Sequence, residues 1–145
     1  MQPLPVANLV MNKKEERERW EEKIKQRYPS LLFKLPCFQT DIGWNKILED
    51  MIEEICRREE FILANNLQEN YQLVRIVQIK EKYGGLRVYY DGGTNDSGIN
   101  LIVSNAEQLA DITCQTCGTT ENVSKRYIKG WVSTLCEKCK EKKSL

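Results

Sequence analysis

Cys114-Gln-Thr-Cys117 and Cys136-Glu-Lys-Cys139 are two Cys-x-x-Cys knuckles separated by eighteen residues. This spacing is typical of a four-cysteine structural zinc site. Two residues between the cysteines of a knuckle allow one tight turn to direct both sulfurs at one ion, and a second knuckle completes the tetrahedron. The alternatives are a pair of disulfides or four reduced thiols in a core. We predict one structural zinc ion held by Cys114, Cys117, Cys136 and Cys139.

The composition indicates a globular protein in a reducing compartment. The 145 residues are 41% hydrophobic and 30% charged, and no apolar run is long enough to span a bilayer. The first ten residues lack the basic start and sustained apolar stretch of a secretion signal. Six cysteines in a chain that is not exported favour metal thiolates over disulfides. We therefore expect a cytoplasmic protein that does not associate with membranes.

The absence of histidine argues against catalysis. With no histidine in the chain, the usual general base and the Ser-His and Cys-His nucleophile pairs are missing. A zinc site with four thiolates is also closed, since no coordination position remains for water or substrate. Hydrolysis by carboxylates alone is the alternative. We predict that the protein is not an enzyme.

Charge is unevenly distributed along the chain, although the net charge is only +1. Residues 113–145 hold seven Lys and Arg against three Glu, whereas residues 31–112 hold eight against thirteen Asp and Glu. The basic tail could attract a polyanion, or it could dock on its own acidic body. Docking is the simpler interpretation.

An extended arm and a charged helix are predicted for the N-terminal region. Residues 1–10 contain two prolines and no periodicity, and from Met11 to Tyr28 the apolar residues recur at four-residue spacing. Trp20 is the large residue near the middle of this stripe. The helix therefore packs on its own domain or offers Trp20 to a partner, and a single apolar stripe favours the first.

A second helix is predicted from a cap at Thr40 or Asp41 to about Leu63. Cys56 lies beside its apolar stripe and is predicted to be a small buried hydrophobe, whereas Cys37 lies in a loop. The carboxylates of this helix are predicted to form a solvated face; they are Glu49, Asp50, Glu53, Glu54, Glu59 and Glu60.

A β-hairpin follows, because the segment from Leu73 to Ile79 is rich in β-branched residues and Gly84-Gly85 can turn the chain. Alternation on the returning strand, Leu86–Tyr90, places Arg87 and Tyr89 on one face. The glycine-rich loop from Gly92 to Gly98 precedes a helix and could hold a phosphate on its free N–H groups. The candidate ligands are Lys80, Lys82, Arg87, Tyr89, Gly92 and Gly93. A plain connection between strand and helix explains the same residues.

The C-terminal residues are predicted to form a zinc ribbon. Two short strands, Val123–Tyr127 and Trp131–Leu135, flank Lys129-Gly130 between the two knuckles. The segment has few apolar side chains, so metal binding is expected to decide whether it folds. Its basic residues Lys125, Arg126 and Lys129 are candidate nucleic-acid contacts.

The chain also resembles a known group of proteins. The segment Lys80-Glu-Lys-Tyr-Gly-Gly-Leu-Arg87, the two knuckles, and Gly130-Trp131 before the second knuckle are similar to small, functionally uncharacterised proteins encoded by bacteriophages and prophages. The resemblance covers about Leu31 to Cys139. It implies a phage accessory protein that acts in the bacterial cytoplasm, and it implies no activity and no catalytic residues.

Together these features predict an α+β fold in which helices pack on a small antiparallel hairpin or sheet beside a four-cysteine zinc ribbon. The predicted parts are an arm and helix (1–30), an α+β body (31–112) and the ribbon (113–145). Two functions remain. The first is a non-enzymatic module that binds and modulates a bacterial host protein, in defence or transcription, with Trp20 and Trp131 as contacts. The second is a nucleotide or nucleic-acid binder that uses the hairpin, the glycine-rich loop and the basic ribbon. The oligomeric state is left open.

Overall fold

The computed structural model describes residues 12–145, so the predicted arm lies outside the described residues. The helices are α1 (Lys13–Arg27), α2 (Pro29–Leu32), α3 (Asn45–Ala64), α4 (Ser97–Ala110) and α5 (Glu137–Ser144), with short 3₁₀ turns at Ile42–Trp44 and Gly93–Asn95. The strands are β1 (Phe38–Gln39), β2 (Arg75–Lys82), β3 (Gly85–Asp91), β4 (Val123–Ile128) and β5 (Trp131–Cys136). Within residues 12–145, no helix is long and apolar enough to cross a membrane.

The strands form two separate sheets. In the first, β2 and β3 make the predicted antiparallel hairpin, and the two-residue strand β1 adds to β2 in parallel. In the second, β4 and β5 pair antiparallel from Val123↔Cys136 to Ile128↔Trp131. The predicted α+β fold with a C-terminal cluster of four cysteines is confirmed, and the short parallel strand is an addition to it.

One hydrophobic core joins the helices α1 to α4 to the inner face of the hairpin. Strand alternation turns Leu86 and Val88 inward, while Arg87 and Tyr89 are exposed, as predicted. The apolar stripes of α3 and α4 pack on this inner face and on each other. The residues of this core that water does not reach at all include Trp44, Leu48, Ile52, Ile55, Ile76, Ile79, Leu86 and Ile99.

Helix α1 lies on the same core. Ile24 is buried, and the half-buried Trp20 packs its ring against Phe38 with centroids 4.7 Å apart. The Trp20 indole N–H donates to Glu49, and the Phe38 backbone N–H donates to the Glu21 carboxylate at 2.5 Å. The stripe of α1 therefore contacts its own chain, which is the simpler of the two interpretations of its sequence.

Glu59 differs from the sequence prediction, which placed it on a solvated face of the second helix. It is buried, and its carboxylate accepts hydrogen bonds from the Tyr71 hydroxyl at 2.7 Å and the Val74 N–H at 2.8 Å. The reason is the path of the chain after α3, which returns along the helix and buries the Val74 N–H without a backbone partner. Glu59 supplies the acceptor that this donor needs.

The turn of the hairpin is Tyr83-Gly84, one residue earlier than predicted, because Gly85 already pairs with Lys82. Tyr83 and Gly84 both have positive φ, at 53° and 76°, as a two-residue type I′ turn requires. The one-residue difference matters because it places the Gly84 carbonyl at the tip of the hairpin, where it meets the ribbon.

Candidate metal centre

The first knuckle is a tight turn closed by backbone hydrogen bonds. The Gly118 N–H donates to the Cys114 carbonyl at 2.9 Å, and the Cys114 N–H donates to the Thr119 carbonyl at 2.8 Å. The chain curls around the place where an ion would sit, and Gly118 adopts a φ of 83° to complete the curl. Cys114 is fully buried, whereas Cys117 is the one exposed cysteine of the cluster.

The second knuckle lies where β5 passes into α5. Cys136 is the last residue of β5 and the N-cap of α5, and its sulfur accepts the Cys139 N–H at 3.4 Å. A helix that begins inside the knuckle turns Cys139 back towards Cys136 within one helical turn. Helix α5 is not predicted from the sequence, because its eight residues are charged or small and show no apolar periodicity.

The four sulfurs fit a tetrahedral metal ion. The Sγ atoms of Cys114, Cys117, Cys136 and Cys139 all lie within 4.8 Å of one another. Zn–S bonds of about 2.3 Å in a tetrahedron require sulfurs about 3.8 Å apart. The Sγ atoms of Cys117 and Cys136 are 3.7 Å apart. The cluster is therefore shaped to hold a metal ion.

The electrostatics of the cluster also favour a cation. Burial opposes ionisation of Cys114, but backbone N–H groups directed at its sulfur outweigh burial and lower its pKa to about 6. Burial and the neighbouring thiols raise the pKa of Cys139 to about 12. Four thiolates this close cannot all form without a positive charge among them. A bound divalent cation removes this conflict.

The first knuckle is docked on the 3₁₀ turn that precedes α3. The Gly43 N–H donates to the Gln115 carbonyl at 2.9 Å, and the indole N–H of the fully buried Trp44 donates to the Thr113 carbonyl at 2.9 Å. The Thr116 hydroxyl donates to the Asp41 carboxylate at 3.2 Å. The loop from Asp41 to Trp44 is therefore a seat for the knuckle, and no sequence signal identified it.

Gly43 allows the two segments to touch through their backbones. A Cβ atom at this position would lie 2.5 Å from the Gln115 carbonyl oxygen and closer still to the Cys114 carbonyl oxygen. Because these neighbours are backbone atoms, they can move away only if the knuckle itself shifts. Glycine is the residue type that permits such a close approach.

Gly43→Ala is expected to destabilise the protein by about 1–3 kcal/mol, the usual effect of inserting a methyl group into a packed site. It should also weaken metal retention, because the knuckle must move. Urea unfolding and competition with a chelator measure the two effects. Gly85→Ala is the matched control, since its added methyl group would meet mainly the flexible end of Arg87. Equal stability of the two variants would contradict the docking role of Gly43.

The tip of the β2–β3 hairpin provides a second seat for the ribbon. The Thr134 hydroxyl donates to the Gly84 carbonyl at 2.5 Å, and the backbone of Gly84 lies against Ser133. Lys125 donates to the Gly84 carbonyl at 2.7 Å, to Thr134 Oγ1 at 2.7 Å and to the Asp111 carboxylate at 2.9 Å. Lys125 therefore ties the ribbon to the body.

The other two basic ribbon residues proposed for nucleic acid also have partners within the chain. Arg126 pairs with Glu137 at 3.0 Å, and Lys129 donates to the Leu145 backbone oxygen at 3.0 Å. Lys80 and Arg87 do face each other across the hairpin, with Lys80 5.7 Å from the Tyr89 ring centroid. This outer face brings those three predicted residues together.

The glycine-rich loop lies at the other end of β3 from Lys82, which pairs with Gly85 beside the turn. The Gly93 N–H donates to the Gln72 carbonyl at 2.8 Å, and Gly92 packs against the backbone of Leu73. The loop is shorter than predicted, because α4 begins at Ser97 with Asp96 as its N-cap. The glycines serve a close contact between chain segments and do not adjoin the basic residues of the hairpin.

Asp96 occupies the N-terminus of α4, which the sequence makes a candidate position for a phosphate. It accepts the Ile99 N–H at 3.0 Å, a two-pronged pair from Arg58 at 2.8 and 2.9 Å, and the Gln68 amide at 2.7 Å. The hydrogen bonds from Arg58 outweigh the opposing effect of burial and lower the pKa of Asp96 from 3.8 to about 2.

This depressed pKa predicts a pH-dependent contribution to stability. A carboxylate with a lower pKa in the folded state stabilises the protein above its unfolded pKa, and the contribution is lost as pH falls from about 4 to about 2. Asp96→Asn should therefore lower the free energy of unfolding at neutral pH, and its difference from wild type should shrink in that acidic range. Urea unfolding across pH tests this. Asp50→Asn, which removes an exposed pair with Lys46, should change little at any pH.

The aromatic candidates for partner contact have different environments. Trp20 is engaged internally by Phe38 and Glu49, as described above. Trp131, next to the turn of the ribbon, is 75% exposed, and Tyr127 on β4 is 77% exposed. Trp131 is among the contacts predicted from the sequence and Tyr127 is not, although the alternation of β4 could have identified Tyr127.

The remaining cysteines, Cys37 and Cys56, lie outside the cluster. Cys56 is half-buried against the core, as its position beside the stripe of α3 predicts, and burial with nearby glutamates raises its pKa to about 11.

Comparison of the chain with protein-family models, curated proteins and solved structures finds no match.

Proposed function

We propose that this chain is a non-enzymatic zinc-binding protein whose metal-folded ribbon binds a bacterial host protein and modulates it, in defence or transcription. The bacterial cytoplasm as its location, and its origin as a bacteriophage or prophage accessory protein, rest on the resemblance of its hairpin and knuckles to phage-encoded proteins. The observation that carries the proposal is a ribbon that is docked on the body, with a four-cysteine cluster at one end and an exposed tryptophan at the other.

Zinc is the metal that this donor set favours. A set of four cysteines arranged as two Cys-x-x-Cys knuckles is the usual structural zinc site, in which the ion has no open coordination position. Sulfur ligands also suit iron and copper(I), so the metal must be identified by measurement. Such a site holds a fold together and does not activate water, which supports a role in binding.

The display of Trp131 supports a protein partner. Exposed tryptophan is unusual on a free surface, and tryptophan is enriched among the residues that dominate binding energy in protein interfaces. The ribbon that carries Trp131 is fixed to the body through Gly84 and Thr134, so the indole is presented on a rigid element. Rigid presentation lowers the entropy lost on binding.

The test is metal analysis followed by affinity capture. Protein purified without chelator should contain one equivalent of zinc by mass spectrometry. Capture from bacterial lysate, followed by identification of the bound protein, should yield a stable partner that is lost when the metal is removed. Absence of metal, or capture of nuclease-sensitive material with no stable protein, would count against the proposal.

The outer face of the hairpin supports a second candidate function, nucleotide or nucleic-acid binding. Lys80, Arg87 and Tyr89 lie together there, and a cation next to an exposed ring can hold a phosphate beside a stacked base. Binding of this kind weakens steeply with salt, whereas a contact anchored by an aromatic residue changes little. If neither nucleotides nor oligonucleotides raise the melting temperature, this candidate fails.

A further inference from the structure

A groove of about 340 Å³ lies where the ribbon meets the body. Glu81 and Gln115 line it from the body and the first knuckle, Ile128, Trp131 and Ser133 from the ribbon, and Lys143 from α5. The groove therefore exists only while the ribbon is docked. Because docking depends on the knuckles, its shape is coupled to the metal site.

Trp131 and Ile128 provide the apolar part of this groove, and they are paired across the ribbon. The other two tryptophans are covered by their own chain: Trp44 is fully buried and Trp20 is half-buried. The indole of Trp131 is the exception. An exposed indole beside an isoleucine suits the insertion of an apolar side chain from a partner.

The charge around the groove is positive and incompletely neutralised. Among residues 12–145, Lys143 in the lining of the groove has no carboxylate within 4.0 Å. The ribbon as a whole holds seven Lys and Arg against three Glu. A ligand that brings negative charge to this side of the molecule gains both attraction and faster association.

We propose that the groove binds an acidic segment of the partner protein, which places one apolar side chain against Trp131 and a carboxylate near Lys143. This rests on the proposed function, in which the ribbon binds a protein, and it specifies the chemistry of the partner at that surface.

The lining of the groove favours an acidic protein segment over nucleic acid. Affinity for nucleic acid comes from several phosphate contacts, and the ribbon cations Lys125 and Arg126 are engaged with carboxylates of the chain. Glu81 also lines the groove and would repel a phosphate backbone that followed it. A peptide can avoid this carboxylate by spacing its acidic residues.

The experiment uses the zinc-loaded full chain and a display library of random short peptides. The peptides enriched should carry Asp or Glu next to Leu, Phe or Trp. For one enriched peptide, made synthetically, Trp131→Ala should weaken binding at least about 10-fold, as for a central aromatic contact. Lys143→Glu should weaken it several-fold. Lys142→Glu is the matched control, because it changes the net charge equally but lies in a different pocket, and it should leave binding nearly unchanged.

Three results would overturn the inference: enrichment of basic peptides or of none, equal effects of Lys142→Glu and Lys143→Glu, or unchanged binding in Trp131→Ala. An oligothymidine that binds the wild type and not Trp131→Ala would assign the groove to nucleic acid instead. Zinc content and thermal unfolding show whether each variant is folded. If capture of a host protein survives in both Trp131→Ala and Lys143→Glu, the proposed function stands and this inference falls. If the zinc-loaded chain captures no protein, the proposed function itself falls.

Discussion

Removal of the metal is expected to unfold residues 113–140 while the core formed by α1, α3, α4 and the hairpin remains folded. The ribbon has almost no apolar core of its own, because its buried cluster consists of Leu135 and three of the cysteines. Structural zinc contributes on the order of 10–16 kcal/mol of apparent binding energy in small metal-folded peptides, whereas whole domains have net stabilities of about 5–15 kcal/mol. Without the ion, little remains to offset the entropy of ordering the chain.

Hydrogen exchange with and without a strong chelator measures this effect. Amides of residues 113–140 should lose protection as one equivalent of zinc is released. Residues 41–44 should lose part of theirs, because the Gly43 N–H donates to the Gln115 carbonyl in the ribbon. Cys136→Ser should reproduce the result. Cys37→Ser, which removes an exposed thiol outside the cluster, is the matched control. Retained protection in the metal-free ribbon would contradict the prediction.

Trp44→Ala is expected to lower the free energy of unfolding by about 3–5 kcal/mol, the usual effect of truncating a large buried aromatic residue. Trp44 is fully buried in the main core, and its indole N–H donates to the Thr113 carbonyl directly before the first knuckle. The variant should therefore lose core packing and also hold its metal less tightly.

Urea unfolding and chelator competition separate these two consequences. Trp44→Phe keeps most of the ring but leaves the Thr113 carbonyl without its donor, so a smaller loss of about 1–3 kcal/mol is expected. Trp131→Ala is the control for loss of an indole, and because Trp131 is 75% exposed its stability should stay within about 0.5 kcal/mol of wild type. Similar losses for Trp44→Ala and Trp131→Ala would show that burial does not explain the effect.

The candidate metal ligands come together as predicted, whereas most of the candidate ligand-binding residues have partners within the chain. The difference depends on how far apart in the sequence the interacting residues lie. The spacing of the knuckles is a local property, so the cysteines meet as predicted. Lys125 and Arg126 form a basic pair in the sequence, yet Asp111 and Glu137 neutralise them in the fold. From the sequence, Gly92 and Gly93 are candidates for a phosphate-binding loop. In the fold they allow two segments of backbone to approach closely. Residue type alone does not distinguish a binding group from a docking group.

The sequence by itself determined most of the longer elements of this protein and its cluster of four cysteines. Helical periodicity, β-branched runs and Cys-x-x-Cys spacing act over a few residues, so they identified α1, α3, α4, both hairpins and the four-cysteine cluster. Only the tertiary structure decided which of the candidate binding residues are engaged within the chain and which remain free to contact a partner. Contacts such as Gly43 with Gln115 and Gly84 with Thr134 join residues far apart in the chain, and they depend on backbone shape that no local pattern encodes. Those contacts fix the ribbon on the body, engage Lys125 and leave Trp131 facing the solvent.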